Sequence, residues 1–142
     1  MCGIGSLVLG KKERSEEELE EIRRNFSNLI VATQVRGRHA TGAFVVNPSG
    51  ISYIKSPLPA ERMVKTEGWK NLLKQITNET VAVVGHVRYA THGSPSDNSN
   101  NHPLLQENII GVHNGVLTND LELCEDYPYK AQVDSAAIFS ML

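Results

Sequence analysis

The second residue of the chain is a cysteine, in the run Met1-Cys2-Gly3-Ile4-Gly5. With Met1 removed, Cys2 would carry a thiol and a free α-amine on one carbon, a nucleophile with its own base. An α-amine titrates at about 7.7–8.0, close to what general-base work at neutral pH requires, and activation by an N-terminal amine is one route to a reactive nucleophile. By position alone a cysteine near the start of a chain is most often just a small buried apolar side chain, and the rest of the sequence has to carry the catalytic reading. Three further polar clusters stand at or beside expected strand ends: Arg36-Gly37, the run from Arg88 through Tyr89, Ala90, Thr91 and His92 to Gly93, and His113-Asn114-Gly115. Asn-Gly is an ordinary turn dipeptide. Here it follows Ile109-Ile110-Gly111-Val112, which sets an amide side chain and a glycine N–H side by side at a strand end. Such a pair could donate two hydrogen bonds to a tetrahedral oxyanion.

Other chemistries find less in the sequence. His39, His86, His92, His102 and His113 show neither a Cys-x-x-Cys pair nor a helical His-x-x-x-His spacing, so no metal is expected, and no cofactor is called for. Arg36-Gly37-Arg38 is basic, yet no glycine-rich loop opens a helix there to cradle phosphate. A net charge of -2 gives no electrostatic reason to expect nucleic acid or an anionic membrane as partner. Two cysteines far apart in sequence, Cys2 and Cys124, form a poor disulfide framework and read as thiols in a reducing compartment. The apolar residues from Ile4 to Leu9 are few and run straight into Lys11-Lys12-Glu13-Arg14, so neither a signal peptide nor a membrane span is expected, and the cytoplasm is the expected location.

The elements that must position these residues follow from periodicity. Gly3 to Leu9 reads as a short buried strand. Ser15 followed by Glu18 is a capping-box signature, and Leu19, Ile22, Phe26, Leu29 and Ile30 fall at helical spacing, which predicts a helix from about Glu16 to Ile30. Val35 to Gly42 reads as a loop feeding a strand. Ala43–Val46 and Ile51–Lys55 predict a hairpin across Asn47-Pro48-Ser49-Gly50. Ala60 to Ile76 is helical, with the break expected at Gly68, and Thr80 to Tyr89 is a β-branched run that reads as a central strand. Thr91 to Asn101 is a polar loop of the kind that covers sites. Asn108 to His113 predicts a strand, Asn119 to Cys124 a short helix, and Asp134 or Ser135 the cap of a last helix running to Leu142. At 142 residues the chain is one domain in size, and irregular alternation of strands and helices argues for layered sheets and helices, an α+β class.

Taken in order, these motifs resemble the class II glutamine amidotransferase domain of the N-terminal nucleophile hydrolases. They are Met-Cys-Gly-Ile, Arg36 to Gly42, Gly85 to Gly93, Asn101-His102-Pro103, Val112 to Asn119, and Val133-Asp134-Ser135. The match spans nearly the whole chain, 1–142. The resemblance implies a four-layer αββα sandwich and hydrolysis of L-glutamine to glutamate and ammonia through a Cys2 thioester. It also implies an ammonia acceptor on a synthase domain or partner polypeptide. Asn114 and Gly115 match the family's oxyanion hole, Arg88 the arginine that binds the substrate α-carboxylate, and Asp134 the carboxylate that binds its α-ammonium. Thr91 and His92 match the loop lining the same pocket, and Arg36 and Gly37 match residues that shape the nucleophile's surroundings.

Three departures stand out. His39 occupies a position that is usually acidic in the family, and Tyr89 one that is often tryptophan. The family's domains also run longer than this chain, so the expectation is a domain reduced or incomplete at its C-terminus. Missing strands would leave sheet edges uncovered, a liability for a monomer that a homo-oligomer would relieve. Two alternatives remain at this level: an N-terminal nucleophile amidase for another amide, and a catalytically inactive binding or assembly module of the same fold.

Overall fold

Ser15 opens the first helix as its sequence context predicts: its hydroxyl accepts from the Glu18 N–H while the Glu18 carboxylate accepts from the Ser15 N–H. In the computed structural model, which describes residues 1–120, 122–123 and 132–142, this helix, α1, spans Glu16–Thr33. Leu19, Phe26 and Ile30 form its buried stripe. Phe26 stacks on Trp69 at 5.7 Å between ring centroids. Arg23, also buried, donates to the Leu73 and Ile76 carbonyls and pairs with Glu16 and Glu20, tying α1 to the helical segment that follows the first hairpin.

Four strands, β1 (Gly3–Val8), β2 (Ala40–Asn47), β3 (Gly50–Ser56) and β4 (Ala82–Arg88), form one antiparallel sheet in the order β1-β4-β2-β3. The run expected to be a central strand is therefore interior. Its period-2 pattern splits it between two faces. Val83, Gly85 and Val87 turn toward α1, where a Cβ on Gly85 would strike Ile30 and Phe26. His86 and Arg88 turn the other way and are buried as well, 1% and 3% exposed. β2 starts three residues before the expected hairpin, because Ala40, Thr41 and Gly42 pair with Arg88, Val87 and His86; a loop-like composition is overridden by an available partner strand.

The Ala60–Ile76 segment is indeed two helices, α2 (Ala60–Met63) and α3 (Glu67–Leu73). The break differs from the expected one. It falls at Val64–Thr66, where the Thr66 hydroxyl accepts from the Trp69 N–H and starts a new helix; Gly68 lies inside α3, where a Cβ would meet Ile54 at 2.5 Å.

On the other side of the sheet, β5 (Leu104–Gln106) and β6 (Ile109–Gly111) form a two-stranded hairpin. β5 carries no pattern long enough to read in sequence, and the expected Asn108–His113 strand is confined to Ile109–Gly111. The carbonyl of His102 approaches β2 so closely that a Cβ on Gly42 would lie 2.1 Å from it, which makes glycine a requirement there. Lys55 of β3 reaches across to donate to the Asn101 and Pro103 carbonyls. Outside the hairpin lies α4 (Ser135–Ser140), with Phe139 and Ala136 packed against Leu104 and Ile109. Asp134 caps it, accepting from the Ser135 N–H, and it stops short of the expected Leu142. The result is an α+β fold with antiparallel sheets, in which helices, sheet, hairpin and helix follow one another.

The expected Asn119–Cys124 helix lies partly outside the described residues, Cys124 included; within them the Leu123 N–H bonds to the Asn119 carbonyl. No described helix is long and apolar enough to cross a membrane.

Candidate active site

Sheet register gathers the sequence clusters at one end. Gly3 pairs with Val87 and Ala40 with Arg88, so the start of β1, the end of β4 and the residues before β2 meet there. Cys2 stands one residue outside β1. Its Sγ receives the Tyr89 N–H at 3.4 Å and lies 3.6 Å from the Tyr89 carbonyl, while Arg36 Nε donates to the Cys2 carbonyl at 2.8 Å. Gly37 is buried against the strand end, where a Cβ would lie 2.5–2.6 Å from the Arg88 carbonyl group and the Tyr89 nitrogen, all backbone atoms.

Arg88 is held as a fork. One arm donates to Asn101 Oδ1 at 2.7 Å, and the other to the carbonyls of His92 and Gly93. Burial pushes its pKa down, opposed by the nearby Cys2 and Asp134. Asn101 and Asn100, both fully buried, fasten the 93–101 loop. Asn101 Nδ2 donates to the Pro95 carbonyl, and Asn100 bonds to the Ser94 carbonyl and the Gln132 N–H. Asp134 Oδ2 accepts the Leu117 N–H at 2.6 Å.

A cavity of about 20 Å³ lies among these groups, bordered by Cys2, Arg88, Thr91, His92, Gly115 and Asp134 together with Tyr89, His102, His113, Val133 and Ser135. A cation, a carboxylate and a thiol around one space are groups able to hold an amino-acid zwitterion beside a nucleophile. That volume suits about one water, so anything larger enters only as the lining moves. Asn114 is exposed and does not border the cavity, although its neighbour Gly115 does. Arg36 and Gly37 also stand outside the cavity: Arg36 meets the site through its side chain, on the Cys2 carbonyl, and Gly37 through close backbone packing on Arg88 and Tyr89. Among the described residues no group of three His, Cys, Asp or Glu side chains is placed to hold a metal ion.

The two side chains that depart from the family pattern meet each other: His39 stacks on Tyr89 at 5.0 Å, and its Nδ1 accepts the Ala90 N–H at 2.8 Å. Sequence reading gave no site role to His86, His102, Asn100, Asn101 or Ser135, although Asn101 and His102 stood in one of the motifs and Ser135 was a candidate helix cap. A signal existed for His86, which shares the parity of Arg88 within an apolar strand. The asparagines looked like loop polarity, and their burial depends on a packing that sequence does not display.

No protein-family model matches the chain. It is similar to proteins named glutamine–fructose-6-phosphate aminotransferase (isomerizing). The relative from Caldanaerobacter subterraneus subsp. tengcongensis is 29% identical over 153 residues, which takes in 100% of this chain and 22% of the relative. That of Clostridium perfringens is 32% identical over 145 residues, 97% of this chain and 21% of the relative. That of Streptococcus pneumoniae strain R6 is 30% identical over 141 residues, 95% and 20% respectively. The chain thus spans about a fifth of the length of the curated relatives it matches.

Proposed function

We propose that the chain is a class II glutamine amidotransferase domain with the N-terminal nucleophile hydrolase fold, and that it hydrolyses the side-chain amide of L-glutamine. The observation that carries this reading is that Cys2, Arg88 and Asp134 border one cavity, in a chain whose relatives are named for glutamine-dependent amino transfer.

In this reading Met1, which is 78% exposed, is removed, and the freed α-amine of Cys2 takes the thiol proton as Sγ attacks the amide carbon. Arg88 receives the α-carboxylate, a planar acceptor suited to a planar fork, and Asp134 receives the α-ammonium. In this reading the tetrahedral oxyanion accepts from the Asn114 side-chain amide and the Gly115 N–H, bonds that gain most as charge develops in the transition state; Asn114, which stands outside the cavity, turns in as the lining moves. The proton passes to the leaving nitrogen, ammonia departs, and a glutamyl thioester remains. Water, deprotonated by the same amine, then releases glutamate and restores the thiol. Ammonia goes to an acceptor on a domain or partner outside this chain. Glutamine binding requires the His92 and Gly93 carbonyls to give up part of Arg88, so the 91–101 loop moves as substrate enters.

The test is a glutaminase assay beside the mass of the mature N-terminus. The expected result is loss of Met1, ammonia release by the wild type, and none by Cys2→Ala. Ammonia release at the wild-type rate by Cys2→Ala would sink the mechanism, and a retained Met1 would favour a binding module of the same fold.

A further inference from the structure

His86 is buried at the centre of the sheet face that carries Arg88, yet it touches neither the thiol nor the cavity. Its Nε2 lies 3.2 Å from the carbonyl oxygen of His113. A carbonyl only accepts, so the ring carries its proton on Nε2 and donates it. Nδ1 is then bare, and it is buried without a partner among the described residues. His102 stacks on the ring at 4.3 Å between centroids, which fixes its plane. Burial lowers the His86 pKa to about 4, so the neutral donor persists at neutral pH.

His113 is the residue immediately before Asn114 and Gly115. Its segment, 112–118, belongs to no strand or helix, and among the described residues its backbone makes no hydrogen bond to other backbone. Three side chains hold it instead. His86 takes the His113 carbonyl, Ser135 Oγ meets His113 Nδ1 at 3.0 Å, and Asp134 Oδ2 takes the Leu117 N–H. Two of these come from the start of α4; among the hydrogen bonds of the described residues, that of His86 is the one that ties the segment to the central sheet. That sheet also fixes Cys2, through the pairing of β1 with β4.

We infer that His86 is a positioning residue, whose Nε2–H bond to the His113 carbonyl sets where Asn114 and Gly115 stand relative to the Cys2 thiol. The inference rests on the reading of Asn114 and Gly115 as oxyanion donors, and it deepens that reading. Without the tie, the donors would be aimed from the α4 side only, while the groups that bind the amino-acid head would be untouched.

The test compares His86→Leu, which fills the space without a donor, with His86→Gln, whose amide nitrogen reaches about as far as Nε2. In steady-state glutamine hydrolysis, kcat of His86→Leu should fall about tenfold to a hundredfold, a misaimed donor costing less than the ~10²–10³ of an absent one. KM should stay within about twofold, since the head-group contacts persist, and His86→Gln should recover most of kcat. Amide hydrogen exchange at residues 113–117 should rise in His86→Leu and not in His86→Gln. Wild-type kcat in His86→Leu overturns the inference, as does equal loss in both variants, which would mean the ring matters and not its N–H. If His86→Leu does not fold, His86→Asn replaces it, because its amide is too short to reach the carbonyl. If the wild type releases no ammonia, the glutaminase reading fails by itself, and the exchange comparison alone decides the positioning role: unchanged exchange at 113–117 overturns it.

Discussion

Replacing Gly37 by alanine should disturb stability and the site together. The backbone there is extended, φ -174° and ψ 138°, a conformation any residue adopts, so the cost is one of space. The new Cβ would lie 2.5 Å from the Arg88 carbonyl carbon, 2.6 Å from its oxygen and 2.6 Å from the Tyr89 nitrogen. None of these is the end of a flexible side chain, so the 37–39 segment must move off the end of β4. Overpacking of this kind costs about 1–3 kcal/mol. The shift also strains the His39 N–H bond to the Arg88 carbonyl, 3.0 Å, and the Ala90 N–H bond to His39, 2.8 Å; each is worth about 0.5–1.5 kcal/mol. The expected loss is therefore about 2–6 kcal/mol, a large part of the ~5–15 kcal/mol that holds a typical domain. Urea titration followed by circular dichroism would measure it, with Gly10→Ala as control, since nothing lies within 4 Å of a Cβ there. Because Tyr89 N–H also meets Cys2 Sγ, reaction of the thiol with iodoacetamide should change in Gly37→Ala and not in Gly10→Ala. A Gly37→Ala protein within about 0.5 kcal/mol of wild type, a shift typical of an inconsequential surface change, would refute the reasoning.

Arg88→Lys should raise KM for glutamine by about tenfold to a hundredfold, because a point charge replaces a fork that makes charge-assisted bonds; an unchanged KM in steady-state assays would remove Arg88 from substrate binding. Ser15→Ala should cost about 1 kcal/mol by loss of the α1 cap, which a shift in urea midpoint would register without any change in glutaminase kinetics. His86 and His102, whose pKa values burial lowers to about 4 and about 2 from an ordinary 6.5, stay neutral in the folded chain and charge in the unfolded one. The unfolded state then binds more protons as pH falls below 6.5. Their stabilising contribution is complete above that value and is lost on acidification, by about 1.4 kcal/mol per pH unit for each ring; urea midpoints that stay flat between pH 6.5 and 5 would contradict this.

Much of the scaffold was legible because local and global signals agreed. Ser15 and Glu18 announced α1, and the β-branched run before Arg88 announced β4. Where they diverged, tertiary partners decided: Ala40 to Gly42 became strand by pairing with β4, and Thr66 outranked Gly68 as a boundary because a hydroxyl cap starts a helix more firmly than one glycine stops it. β5 was invisible, being three residues long and preceded by Pro103. That Cys2, Arg88, Gly115 and Asp134 belong together was an expectation from sequence, and they do border one cavity, yet their present partners could not be read. That Arg88 rests on carbonyls of its own loop, or that Asn101 is buried to receive it, follows from a loop conformation that residue types alone leave open.

Cys2 lies just past the last residue of β1 that pairs with β4, at the point where an edge strand would begin to fray. Its anchorage is lateral, through Arg36 to its carbonyl and through Tyr89 to its sulfur. Among the hydrogen bonds of the described residues none involves Met1, so cutting the bond before Cys2 breaks no such restraint on the thiol. The position of the sulfur is thus set by contacts from neighbouring segments and not by the residue before it, so a change at Met1 and a change at Arg36 or Tyr89 should act on the thiol in separable ways.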